Sequence, residues 1–294
     1  MSNQEYLNNK PIPSFVDPRF APRSNIKFNY VWDSVLGQWI PMVQQEGQEG
    51  TLDSILNNTQ EHVHKFGSHP NVPQNADFDN QYTIWDGGTN YQFPSNSGEA
   101  MQVVSDFTPT GILTNDSQSI IVEGLDENFN FKSEEVSLNG TNPVDLTGLW
   151  SRIFRAYNND SSDFQGNICV IKSGTWTGSS SSNVYAKILV GNNQTLMSIY
   201  TIPAEYTGYL LKFSITAQNI GSSSAIGFTI HMVIREYGKV FRVLARTSAG
   251  TTYSIQEDYP FPLKLEPKTD IMFNVINANG NNGSINCDFD IALV

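Results

Sequence analysis

Three of the four histidines, His62, His64 and His69, lie close together in the chain. A His-x-His pair is a familiar metal-ligand spacing, because residues i and i+2 of an extended strand point the same way. The local periodicity argues for a helix instead. From Thr51 to Phe66, residues Leu52, Ile55, Leu56, Thr59, Val63 and Phe66 follow 3-4 spacing, Thr51 can cap the N-terminus, and Gly67 stands where a C′ glycine belongs. On such a helix His62 and His64 sit roughly 200° apart and cannot share one ion. The three histidines are therefore metal candidates by spacing alone; solvated or interface side chains are the expectation, with no metal and no cofactor. His231 alternates with Ile230 and Met232 and is expected on the non-core face of its strand.

Carboxylates and aromatics are the other groups that could do chemistry. Asp126-Glu-Asn-Phe-Asn130 begins like a calcium loop, but Phe131 replaces the required glycine and Ser137 the closing glutamate. A turn in which Asp and Asn bond their own backbone is the expectation. Asp126-Glu127, Glu134-Glu135 and Glu257-Asp258 are sequence neighbours, which face opposite ways on a strand and cannot act as a paired acid and base across a cleft. No nucleophile elbow, phosphate loop, dinucleotide fingerprint or Cys-His dyad occurs, so no enzymatic activity is expected. Trp176, set among Gly174, Gly178 and a serine run, can stack on a sugar ring, anchor a subunit contact or fill a pocket of its own domain. Trp85 and Tyr91 carry the same alternatives.

Composition narrows the class. The 294 residues carry a formal charge of −12, with 39% hydrophobic and 16% charged residues. Such a chain folds with an uncharged polar surface, and its acidity argues against a nucleic-acid partner, which demands a basic face. The 17 Phe, 12 Tyr and 5 Trp can fill a large core. Cys169 and Cys287 allow one disulfide at most, which a fold of this size does not need; Cys287 shares a strand face with Ile285, Phe289 and Ile291, as a small buried hydrophobe would. The N-terminal residues lack the basic and apolar regions of a signal peptide, and no run has the ~18 apolar residues of a bilayer span, so no membrane insertion is expected.

The elements follow in order. Pro11, Pro13, Pro18 and Pro22 make residues 1–25 an extended arm. Ile26 to Trp32 and Gln38 to Met42 flank a short Gly-containing turn and read as a hairpin, too small to be stable alone. Residues 26–66, hairpin plus helix, form a docking module; the helix either covers a sheet face or pairs with its own copies as a short neck. Residues 67–82 read as a linker. From 83 to 294 about a dozen strands with Gly/Ser/Asn turns predict an antiparallel β-sandwich, jelly-roll-like in form. Within it Tyr209, Leu211, Phe213 and Ile215 are expected on one face. Phe129 and Phe131 fall out of phase with Val136 and Leu138, which suggests a β-bulge.

The most specific stretch is Ile120 to Asn158. Val122-Glu-Gly-Leu-Asp126, Glu135-Val-Ser-Leu-Asn-Gly140, Arg152-Ile-Phe-Arg155 and Gly166-Asn-Ile168 resemble a family of virion proteins of tailed phages, of the cyanophage and marine type, also found in large algal viruses. Thr201-Ile-Pro-Ala204, Gly208-Tyr-Leu210 and Pro267-Lys-Thr-Asp-Ile271 extend the resemblance over roughly the last two thirds of the chain. Tyr30-Val-Trp-Asp33 with Gly37-Gln-Trp-Ile-Pro-Met42 is similar to an N-terminal module of phage tail and fibre proteins.

The resemblance implies a non-enzymatic structural protein of the virion, assembled in the host cytoplasm. A homotrimeric tail, neck or baseplate fibre-like component is expected, with capsid decoration or glycan and receptor binding as alternatives. Its partners would be copies of itself and other virion proteins. The expected docking residues are Phe15, Phe20, Tyr30, Trp32, Trp39, Leu52, Ile55, Leu56, Val63 and Phe66, with Trp176 as the receptor contact.

Overall fold

The alternating runs pair as antiparallel strands. A computed structural model describes residues 30–33, 38–41, 52–73, 76, 80–110, 116–219, 227–250, 254–279 and 283–294. The chain divides into two compact units, Met1–Glu49 and Gly50–Val294. In the first, β1 (Tyr30–Asp33) and β2 (Gln38–Pro41) form the expected hairpin, with Trp32 opposite Trp39.

The second unit begins with α1 (Leu52–Asn58), then β3 (Glu61–Val72), β4 (Tyr82–Thr83), β5 (Met101–Ser105), β6 (Ser119–Asp126), β7 (Phe131–Ser137), β8 (Val144–Asp145) and β9 (Trp150–Asn158). It continues with β10 (Ile168–Lys172), β11 (Val184–Ile188), β12 (Ile199–Thr201), β13 (Gly208–Asn219) and β14 (Gly227–Arg235). The last strands are β15 (Arg242–Gly250), β16 (Ser254–Leu265), β17 (Asp270–Asn279) and β18 (Gly283–Leu293).

Two sheets define the architecture: β16-β13-β18-β3, and β12-β17-β14-β15 with β4 on β17. Counting β3 and β12 to β18 as eight strands in chain order, the sheets read first-eighth-third-sixth and second-seventh-fourth-fifth. That is jelly-roll connectivity. Between its first and second strands the chain inserts β5 to β11, which form the sheets β11-β10-β5-β8 and β7-β6-β9.

Two cores result. Phe213, Ile215, Ile285, Cys287, Phe289 and Ile291 of one jelly-roll sheet meet Phe228, Ile230, Met232, Ile271, Phe273 and Val275 of the other. A ladder of rings, Phe213–Phe273 at 5.4 Å and Phe273–Phe289 at 5.3 Å, fills the centre. The inserted strands bury Val103, Ile120, Val122, Trp150, Ile168 and Val170 in a second core, which also takes in Ile199, Val233 and Met272. The β12-β17-β14-β15 sheet therefore carries apolar packing on both faces. Both cysteines are buried and unpaired.

Several local expectations are corrected. The helix ends at Asn58, and residues 61–72, expected as helix and linker, are a strand. The reason is tertiary: β18 presents an edge that β3 completes from Val72↔Gly283 to Glu61↔Leu293. Burial along β3 follows period two, with Lys65, Gly67 and His69 inward and Phe66 outward. Gly67 is no helix cap. It lets β3 approach the β12 segment, where Met197 N donates to Phe66 O at 2.9 Å. A Cβ on Gly67 would lie 2.1 Å from Ser198 N and 2.6 Å from Ile84 O, both backbone atoms. Gly67→Ala is therefore expected to destabilise the protein by roughly 2–3 kcal/mol, read as a lowered urea midpoint at unchanged m-value.

The bulge expected in β7 is absent, since β6 and β7 pair without interruption from Ser119↔Ser137 to Leu125↔Phe131. Phe129 is out of phase because it belongs to the turn before β7, at φ 70°, with its ring in the first core. The register shifts lie instead on the β6–β9 side of the sheet, at Glu123/Gly124 and Leu125/Asp126. Nor do Tyr209, Leu211, Phe213 and Ile215 share a face. A shift at Leu210/Lys212 turns Tyr209 and Leu211 towards Ile55 and Ala292, and leaves Phe213 and Ile215 in the core. On β16 that shift expels Tyr259-Pro260-Phe261-Pro262 from the ladder, and Phe261 is 76% exposed. Two prolines in such a run argue against a strand, and β16 accommodates them because it is an edge.

Candidate functional site

The extended course of β3 puts His62 and His64 on one side, contrary to the helical expectation. Both reach the buried carboxylate of Asp290 on β18: His64 Nδ1 at 2.5 Å and His62 Nε2 at 3.7 Å from Oδ1. Lys212 Nζ lies 3.0 Å from the other oxygen. Burial raises the Asp290 pKa, but hydrogen bonds from His64 and Lys212 outweigh it and hold the carboxyl below its ordinary value. An ammonium against the carboxylate suits an ion-pair cluster better than a cation site. Among the described residues no three His, Cys, Asp or Glu side chains form a group able to hold a metal. His69 sits apart, fully inside, edge-on to Tyr82 at 5.7 Å. Burial pushes its pKa down to about 4. His231, expected on a non-core face, does lie opposite Ile230 and Met232, yet it is buried and lines a cavity of about 320 Å³ with Val233, Phe241 and Met272. The second core reaches that face, so it is not a solvated one.

The Asp126 turn is structural, as expected. Its Oδ1 accepts from the backbone N–H groups of Asn128 at 2.8 Å and Asn130 at 2.9 Å.

A polar centre that sequence reading missed lies where the segments carrying the virion resemblance converge. Arg152 on β9 and Asp270 on β17 are each 2% exposed and pair bidentately, Nε–Oδ1 at 2.7 Å and Nη2–Oδ2 at 3.0 Å. Arg235 at the end of β14 adds two bonds to Oδ2, at 2.8 and 2.6 Å. Thr201 Oγ1 donates to Oδ1 at 2.6 Å. The remaining donors of Arg152 go to Ser151 O, Pro94 O and Asn96 Oδ1. Phe93 takes both guanidinium groups over its ring, each 5.0 Å from the centroid. Phe129 packs under Arg152 at 4.9 Å and Lys268 at 5.2 Å. The centre locks the insert (β9) to the jelly roll (β12, β14, β17). It offers no nucleophile or unpaired acid.

The expected docking residues divide. Phe15 and Phe20 lie outside the described residues. Tyr30 and Trp32 are on β1, Trp39 is on β2 and Leu52 opens α1. Ile55 is buried against Tyr209 and Ala292, and Val63 packs on the first core, so both serve their own unit. Leu56 and Phe66 are exposed.

Trp176 occupies a loop that joins β10 to β11 and is held by its own hydrogen bonds. Thr175 Oγ1 bonds Lys172 O and Ser181 Oγ, both at 2.6 Å, and Thr177 N donates to Ser180 O at 2.9 Å. Gly174 and Gly178 supply the positive φ values, 75° and 95°, that the reversal needs. The indole is half-buried, donates from Nε1 to Thr141 O at 3.0 Å, and packs on Val104, Cys169 and Ile171. Its outer side borders a cavity of about 310 Å³ whose wall includes Asn90, Gln92, Ser179, Asn183 and Lys187. Trp85 and Tyr91, in contrast, are core residues, edge-to-face at 5.1 Å.

No family model matches the chain, and no curated protein does. Among solved structures it is similar to that of infectious bursal disease virus Gt strain, at 10% identity over 80% of this chain and 71% of that one, with a TM-score of 0.22. The Gx strain gives 10% identity, the same coverage and a TM-score of 0.21. The VP2 subviral particle of that virus gives 12% identity over 80% and 72% at a TM-score of 0.19. Likeness at this level carries no argument for the role of this chain.

Proposed function

We propose that the chain is a non-enzymatic structural protein of a tailed-phage virion, carried as a homotrimer at the tail, neck or baseplate. The observation that carries this reading is the division into an N-terminal unit, whose described residues form the β1–β2 hairpin, and a large β-sandwich. A two-stranded hairpin is marginal in water by itself, so β1 and β2 need a surface to pack on, which this reading assigns to other virion proteins. The sandwich is built as a self-sufficient displayed body: it has two cores, and its edge strand β16 is broken by prolines against edge-to-edge pairing. The sequence resemblance supplies the virion, and jelly rolls recur in viral shells, which is support by fold analogy. Decoration of the capsid is the second reading.

Imaging of whole particles with an antibody against residues 254–265 separates the two. Label at the tail or neck supports the first; label on the capsid lattice alone removes it in favour of the second.

A further inference from the structure

We propose that the groove beside Trp176 is a binding site for neutral hexose-based saccharides, of mono- or disaccharide size. The first argument is the loop itself. It joins neither main core, yet its internal hydrogen bonds and the bond to Thr141 O fix the indole in one position. A half-exposed tryptophan held rigidly before binding is what ring stacking requires, since little side-chain freedom is then lost.

The second argument is the chemistry of the wall. The cavity that Trp176 lines also carries amides and hydroxyls: Asn90, Gln92, Asn183 and the serines of the loop. Gln92 is exposed and makes no hydrogen bond to another described side chain or backbone group. Amides with a donor and an acceptor side by side match vicinal hydroxyls. The charged groups of the wall are one acid and one base. Asp106 is held by Asn167, both oxygens at 2.8 Å, and with Lys187 it leaves the wall formally neutral. A wall so nearly neutral, on a chain of net charge −12, suits an uncharged ligand over a phosphate or a sulfated glycan. The volume, about 310 Å³, is at the lower end of the range for small-ligand sites.

The site stands independently of the virion reading, because the purified full-length protein suffices to test it. The probes are neutral mono- and disaccharides of glucose, galactose, mannose and N-acetylglucosamine, titrated against tryptophan fluorescence and by calorimetry. At least one is expected to bind with a fluorescence change. Trp176→Ala is expected to weaken it roughly tenfold and Gln92→Ala roughly threefold to fivefold, with Trp176→Phe between wild type and Trp176→Ala. Gln92→Ala keeps the test sound if Trp176→Ala perturbs the loop, since Gln92 lies outside it. The proposal is overturned if no probe binds, or if binding is unchanged in both Trp176→Ala and Gln92→Ala. Label of the particle tail with no saccharide binding would overturn the site and leave the virion reading intact.

Discussion

Asp270→Ala is expected to destabilise the protein by about 3–5 kcal/mol, the largest loss from any single polar substitution considered. The carboxylate accepts from two guanidinium groups and a threonine hydroxyl. Without it, Arg152 stays charged and 2% exposed, facing a gap, and the penalty is that of an uncompensated buried cation. Arg235 is 25% exposed and can turn to solvent, which limits its share. The pair as a whole is another matter. Arg152→Met with Asp270→Ala removes both charges from the interior, so the double variant is expected to be more stable than Asp270→Ala alone. Urea unfolding of the four proteins of that cycle gives the coupling. An Asp270→Ala midpoint within experimental error of wild type would contradict the role assigned to the centre.

Wild-type stability is expected to rise by roughly 2–3 kcal/mol between pH 7 and 9, and Lys65→Met to abolish most of the rise. Lys65 is buried on β3 and donates to Phe154 O at 2.5 Å, the residue that the β6–β9 register skips. Burial, reinforced by Arg155 and partly offset by Glu123, lowers its pKa from 10.5 to about 7. Between those two values the unfolded chain holds a proton that the folded protein has released. Raising the pH therefore favours folding, and below pH 7 the folded state bears the whole penalty of the buried charge. The window closes near pH 9 because burial raises Cys169 from 9.0 to about 11, an effect of opposite sign. On the acid side two groups oppose each other. His69, lowered from 6.5 to about 4, destabilises as the pH falls between those values. Asp86, raised from 3.8 to about 6 by burial, stabilises over nearly the same range. The alkaline limb is thus where one residue can be read. Parallel wild-type and Lys65→Met profiles from pH 7 to 9 would sink this assignment.

The strands of the jelly roll were legible wherever one face is buried and the other is not. Phe228, Ile230, Met232 and Ile234 announce β14, and Ile285 to Ile291 announce β18, because a two-residue period has no helical alternative. β3 was not legible: its residues fit a helix locally, and only the unfilled edge of β18 decides otherwise. β16 was hidden by Pro260 and Pro262, whose place in a bulge depends on a shift in the neighbouring strand. The Arg152–Asp270–Arg235 centre joins residues far apart in the chain, and nothing local marks a charge as buried. The resemblance did flag three of its segments, Arg152-Ile-Phe-Arg155, Thr201-Ile-Pro-Ala204 and Pro267-Lys-Thr-Asp-Ile271, without naming the chemistry that ties them. Trp176 was visible from its glycine and serine surroundings, whereas Gln92 and Asn90 reach the same groove only through the fold.

The virion reading rests on attachment through the N-terminal hairpin, and the amount of protein per particle measures that attachment directly. Particles purified from infected cultures are compared for wild type and for Trp32→Ala/Trp39→Ala, the residues in register across β1 and β2. Quantitative mass spectrometry is expected to find wild type at a fixed copy number divisible by three. The double variant is expected to be depleted at least roughly tenfold, with its sandwich melting within about 2 °C of wild type. Equal incorporation of the two proteins, or absence of wild type from washed particles, would contradict it.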